Sequence, residues 1–218
     1  MIKDRLHNIR QVIPKNVTLV AVSKTHPVEK IQEAYAAGQR IFGENRVQEL
    51  IQKQPHLPSD IEWHLIGHLQ SNKVKHIAPF ISLIHSVDSF KLLEEINRQA
   101  EKNDRKINCL LQIHIAKEET KFGLSFEEAE NLLFSDKLSS LKNICIKGLM
   151  GMATLSNDEK TIRLEFASLQ HFYKTVKEKI NHSEFSILSM GMSSDYTIAI
   201  EEGSNMIRVG SSIFGNRG

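Results

Sequence analysis

An alternation constrains this chain more than any other feature. Eight apolar, β-branched runs of strand length occupy 17–23, 40–45, 61–67, 81–87, 107–115, 143–150, 185–190 and 206–209. Segments with helical spacing lie between them: 28–37, 46–54, 71–78, 88–102, a helix opened by the capping-box sequence Ser125-Phe126-Glu127-Glu128, 157–180 and 194–203. In the long 157–180 helix, Leu164, Phe166, Leu169, Phe172, Tyr173 and Val176 supply apolar surface. One further helix, Ile2–Ile13, precedes the first strand and stops at Pro14. Strands that alternate with helices pair in parallel, and eight such units point to a closed (β/α)8 barrel with an extra N-terminal helix. An open doubly wound sheet is the alternative and usually has fewer strands. With 218 residues and no linker, repeat or low-complexity segment, the chain reads as one domain over 1–218.

The first strand hands over to a helix at Val17-Thr-Leu-Val-Ala-Val-Ser-Lys-Thr25. His26-Pro27 follows, with Pro27 suited to a first helical position and Gly38 to the helix end. Lys24 therefore stands at the strand's C-terminal end, where α/β folds bind ligands. A lysine there can form a Schiff base if its surroundings depress its pKa. The alternative is a surface lysine with its charge in water.

In a barrel the strand C-termini share one mouth. The ends collect Lys24, Glu44-Asn45, Gly67-His68, Ser86 to Asp88, His114 with Ala116, Met150-Gly151-Met152, Gly191-Met192-Ser193-Ser194, and Arg208 with Gly210-Ser211-Ser212. Loops after strands 7 and 8 recurrently form a phosphate site in this fold. Ser193 and Ser194 lie at a helix start, Gly210 lets backbone approach closely, and Ser211 adds a hydroxyl. These small residues are equally readable as turns and caps. A ligand with an aldehyde at one end and a phosphate at the other would bridge Lys24 to this cradle. Pyridoxal 5′-phosphate (PLP) has that shape, with a lysine Schiff base as its usual anchor. Arg208 is a lone charge in the apolar run Met-Ile-Arg-Val-Gly. It would either face a pyridine nitrogen and keep it unprotonated, or pair with a barrel carboxylate such as Glu44.

The motifs together resemble the YggS/PROSC family of pyridoxal phosphate homeostasis proteins. The resemblance is carried by Ala21-Val-Ser-Lys-Thr25, Phe42-Gly-Glu-Asn45 with Val47-Gln-Glu49, and Trp63-His-Leu-Ile-Gly-His-Leu-Gln-Ser-Asn-Lys73. It continues through Ser86-Val-Asp-Ser89, Lys121-Phe-Gly123, Gly148-Leu-Met-Gly-Met152, Met190-Gly-Met-Ser-Ser-Asp195 and Arg208-Val-Gly-Ser-Ser-Ile-Phe-Gly215. It implies a barrel similar to the N-terminal domain of alanine racemase. Lys24 would carry PLP as an internal aldimine. Ser193, Gly210 and Ser211 would hold the phosphate with Ser194 nearby, Arg208 would face the pyridine nitrogen, Asn45 would lie near the ring and Met150 would flank it. Ser211-Ser212 departs from a frequent Thr-Ala but keeps the hydroxyl, and Leu65 replaces a frequent aromatic or Met.

A racemase needs a base on each face of the α-carbon. In alanine racemase the second is a tyrosine brought by a C-terminal β-domain, which is not expected here because the chain ends shortly after strand 8. Tyr35 and Tyr173 fall on outer helices, and Tyr196, near the mouth, reads as structural. The expectation is a carrier that binds PLP reversibly without catalytic residues. The alternatives are a racemase-like PLP enzyme and a cofactor-free Schiff-base aldolase, for which Glu44 would be the lone carboxylate. His64 and His68 straddle a strand and a loop, so no metal site is expected. Trp63 reads as core, and Lys73, Lys75 and His76 as a solvated helix face. A formal net charge of +2 without a basic run excludes a nucleic-acid partner, and no apolar stretch is long enough for a bilayer. Cys109 and Cys145 sit in apolar runs, which favours a reducing cytoplasm. The expected partners are PLP and PLP-dependent apoenzymes, with the chain a monomer or weak dimer.

Overall fold

Parallel strands need a crossover connection, usually a helix, and here eight helix-joined strands close on one another. The computed structural model describes residues 1–117, 122–180 and 183–215. Strands β1 (Thr18–Val22), β2 (Ile41–Glu44), β3 (Glu62–Leu65), β4 (Leu83–Val87), β5 (Ile107–Ile113), β6 (Ile144–Gly151), β7 (Ile187–Ser189) and β8 (Met206–Val209) follow in sequence order around a closed barrel. Each neighbouring pair is parallel, and the seam sets Thr18 of β1 opposite Met206 and Ala21 opposite Val209 of β8. The expected (β/α)8 barrel is the observed fold; six of its strands are shorter than the apolar runs that announced them, while β6 and β8 keep the full length.

Around the barrel lie α2 (Val28–Ala36), α3 (Val47–Lys53), α4 (Val74–Ile77), α5 (Phe90–Lys102), α6 (Phe126–Leu133), α7 (Glu159–Ile180) and α8 (Tyr196–Glu201). The extra helix α1 (Ile2–Val12) buries Ile2, Leu6 and Ile9, spaced for one helix face, and Arg10 fastens it by donating to the Ala37 carbonyl. Ser125 and Glu128 form the anticipated capping box of α6, worth about 1 kcal/mol. Ser71 instead opens a short 3₁₀ turn ahead of α4 without a side-chain cap. A last helix, α9 (Ser211–Phe214), follows β8 and has no counterpart in the sequence reading.

Strand alternation sorts the core into two layers. Leu19 and Ala21 of β1 face the helices and join the main apolar cluster. Val20 points the other way and packs with Leu83, Leu110, Met150 and Met206 inside the barrel. Trp63 is 2% exposed, in the helix-facing core as expected. In α7 the buried face is Ile162, Phe166, Leu169, Tyr173 and Val176. Leu164 falls about 200° from Ile162 around the helix, so it lies in solvent and not in the apolar surface assigned to it. Cys109 on β5 and Cys145 on β6 are both buried free thiols.

Candidate functional site

The barrel mouth holds a cavity of about 520 Å³, a size typical of small-molecule sites. Its wall contains Lys24, His26, Asn45, Ser193, Ser194, Arg208, Gly210 and Ser211 together with Val22, Ile66, Met152, Met192 and Ser212. Seven of the eight residues singled out in the sequence thus share one cavity. Met150 does not reach the wall. It is fully buried in the interior cluster, and Met152, two residues further along the same face, takes the place at the mouth. His26 and Met192 are wall residues that the strand-end reading did not assign a role.

Lys24 enters from the end of β1, and the cradle comes from the loops after β7 and β8, the next strands around the seam. The Ser193 hydroxyl accepts the Gly210 N–H at 3.0 Å, which ties the two loops and leaves the hydroxyl hydrogen to donate to an anion. A side chain at Gly210 would bring Cβ within 3.2 Å of the Val22 carbonyl oxygen, so glycine is what lets this loop lie against β1. Gly191, at φ +92°, opens the other loop where a Cβ would sit 2.6 Å from that of Ala199. Asp195 holds the same loop by accepting the Met192 N–H at 2.6 Å.

Arg208 is 3% exposed at the cavity floor. Its guanidinium donates from Nη1 to the Ser189 hydroxyl at 2.7 Å and from Nη2 to the Gly151 carbonyl at 3.1 Å. Burial brings it down to about 10, opposed by the charge of Asp195, and it remains a cation at neutral pH. The alternative of an Arg208–Glu44 pair is corrected: Glu44 faces the helix layer, where it accepts from Lys53 at 2.8 Å and from the Ser23 hydroxyl at 2.6 Å. Alternation along β2 puts Glu44 outside and Asn45 at the mouth.

Among the described residues no tyrosine, aspartate or glutamate lines the cavity. Tyr196 packs against the helix-side core, Tyr35 donates to Asp60, and Tyr173 stacks on Phe185. His64 lies inside the barrel and bonds His85, whereas His68 lies beyond β3, 3.4 Å from Asp88 and stacked on Phe122. Lys121 falls outside the described residues. An amine, a hydroxyl and backbone cradle, and a buried cation that line one cavity suit a ligand that carries both a carbonyl group and an anionic end.

A family model for the N-terminal domain of alanine racemase matches residues 1–218. The pyridoxal phosphate homeostasis protein of Vibrio alginolyticus is 40% identical over 209 residues, which span 94% of this chain and 88% of that protein. The chain belongs to the pyridoxal phosphate homeostasis proteins, within the alanine racemase N-terminal domain family. The family's member in Schizosaccharomyces pombe is also 40% identical, over 93% of this chain and 85% of its own. PipY of Synechococcus elongatus, 41% identical, superposes over 99% of this chain and all of its own, with a TM-score of 0.93 without PLP and 0.90 with PLP bound. An alanine racemase of Clostridium difficile, 16% identical, has a TM-score of 0.80 over 99% of this chain and 56% of its own, which shows the shared barrel. The family expected from the motifs is the family found.

Proposed function

We propose that this chain binds PLP covalently through Lys24 and serves intracellular PLP homeostasis as a carrier. The observation that carries the reading is that Lys24, the Ser193–Gly210 loop tie and Arg208 open into one cavity across the β1–β8 seam. The residues fit the cofactor. The hydroxyls of Ser193 and Ser211 and the glycine-framed backbone suit a phosphate, and the Arg208 guanidinium offers a donor to a ring nitrogen. Asn45 and Met152 flank the space between, and Met150 backs the floor from inside the barrel. PLP supplies an aldehyde and a conjugated ring. Lys24 would hold the cofactor through a carbon–nitrogen bond to that aldehyde, whose formation would release one water and which water would reverse on release.

Two features support a carrier over an amino-acid enzyme. Arg208 donates hydrogen bonds and lacks an acceptor, so a ring nitrogen facing it stays unprotonated and the ring withdraws electrons weakly. The described wall offers no tyrosine or carboxylate to work opposite Lys24, and its one imidazole, His26, stacks on Phe214 with centroids 5.1 Å apart. The natural recipients of such a carrier are PLP-dependent apoenzymes. Two free thiols suit a reducing cytoplasm, no described helix is long and apolar enough to cross a membrane, and the carrier works as a monomer or weak dimer. Titration with PLP, followed by near-ultraviolet and visible absorbance, tests the binding in wild type and Lys24→Ala. A shifted band in the wild type alone supports the reading. Steady turnover of alanine enantiomers by the loaded wild type would contradict the carrier role.

A further inference from the structure

Thr25, the residue after Lys24, has φ +66°. That left-handed backbone costs a β-branched residue strain, and such strain persists only where the surroundings hold it. The holding group is visible: Glu49 Oε1 accepts the Thr25 N–H at 2.5 Å. One peptide unit earlier, Lys53 Nζ donates to the Ser23 carbonyl at 2.9 Å, and the same carbonyl accepts the His26 N–H at 3.1 Å. Lys53 and Glu49 also bond each other at 2.5 Å, one turn apart on α3. Lys53 is 7% exposed, and the fully buried Glu44 is its second carboxylate partner.

The Ser23–Lys24 and Lys24–Thr25 peptide units are the two rigid planes on either side of the Lys24 Cα. Lys53 grips the first, Glu49 grips the second, and the two grips are joined. The φ and ψ of Lys24 are thereby fixed from the helix side of β1, by residues that do not line the cavity. We propose that Lys53 and Glu49 are positioning residues, which aim the Lys24 side chain for covalent capture of an aldehyde by locking both peptide units that flank it. The inference rests on Lys24 being the PLP lysine.

The test follows the rate at which the unloaded chain captures PLP, by stopped-flow absorbance, alongside borohydride trapping, peptide mapping and thermal melting. Glu49→Ala removes the grip on Thr25 and leaves the Lys53–Glu44 pair in place. It is expected to fold and to capture PLP about tenfold more slowly, as loss of alignment predicts. Thr25→Gly in the Glu49→Ala background is expected to recover about threefold of that rate, because glycine takes positive φ unaided. A part that merely stabilised the fold would lower the melting temperature and leave the capture rate of the folded chain unchanged. Lys53→Met is expected to slow capture likewise, and if it fails to fold, Glu49→Ala carries the test. Capture by Glu49→Ala at the wild-type rate, or no recovery in the double variant, overturns the proposal. If borohydride traps PLP on another lysine of the wild type, the PLP reading itself has failed. A Lys24 adduct formed at unchanged rate in Glu49→Ala defeats the clamp alone.

Discussion

Arg208 donates to the Ser189 hydroxyl at 2.7 Å, and that bond heads a polar chain that runs into the barrel. A guanidinium has donors only, so Ser189 accepts from it, and the same hydroxyl is bonded to His85 Nδ1 at 3.2 Å. His85 Nε2 is bonded in turn to His64 Nδ1 at 3.1 Å. One fixed charge at the cavity floor is thus linked through a hydroxyl to two imidazoles within the barrel. Burial keeps both neutral: it pushes His64 down to about 3 and, with the charges of His64 and Arg208 adding to it, holds His85 well below the ordinary imidazole range.

The pH dependence of stability follows from these histidines. In the unfolded chain each takes a proton below about 6.5, while the folded barrel refuses it, so stability is present above pH 6.5 and drains away as pH falls toward 3. Each buried histidine contributes a slope of up to about 1.4 kcal/mol per pH unit in that window. Urea denaturation at pH 7.5, 6.0 and 5.0 should show the loss, and His64→Asn should flatten it. Equal slopes in the two proteins would rule out a buried neutral His64.

Ser189→Ala removes the link between Arg208 and His85. It leaves a buried charged donor and an imidazole nitrogen without their partner, a change that costs about 1–3 kcal/mol. Urea midpoints should fall without a change in m-value, and affinity for PLP should weaken because the guanidinium loses one of its two anchors. An unchanged midpoint would mean that the bond carries no net weight.

The two loop glycines should respond differently. Gly191→Ala meets both an unfavourable φ of +92° and a Cβ contact at 2.6 Å, so it should destabilise the fold by about 2 kcal/mol or more. Gly210→Ala meets the Val22 carbonyl at 3.2 Å and has ordinary φ, so the loop can move by a few tenths of an ångström. Its melting temperature should change little while PLP affinity falls several-fold, because the Ser193–Gly210 tie is what shifts. Equal loss of stability in both variants would contradict this account of the cradle.

The barrel was legible because period-two and near-3.6 patterns repeat locally, and each strand end could be read from where its apolar run stops. Lys24, Asn45, Ser193, Gly210 and Arg208 were legible for the same reason, since strand ends of one barrel must meet. What lay hidden depends on alternation to a single residue. Glu44 and Asn45 are neighbours in sequence yet face opposite layers, so the Arg208–Glu44 pair was a plausible error. Met150 and Met152 share a face, and only barrel depth decides which of them meets the cavity. The partners of Arg208 are a hydroxyl and a carbonyl from β7 and β6, far apart in sequence and unremarkable as residue types. The strain at Thr25 and its grip by Glu49 leave no trace in hydrophobic pattern at all. The helix α9 is four residues long, too short for periodicity to announce.

The central claim is that Lys24 holds the cofactor. The most direct measurement is borohydride reduction of the chain incubated with one equivalent of PLP, followed by peptide mass mapping. The account predicts one pyridoxyl adduct, on Lys24, absent from Lys24→Ala and diminished by excess inorganic phosphate competing for the Ser193–Gly210–Ser211 cradle. An adduct spread over surface lysines, or one that persists at equal yield in Lys24→Ala, would contradict it.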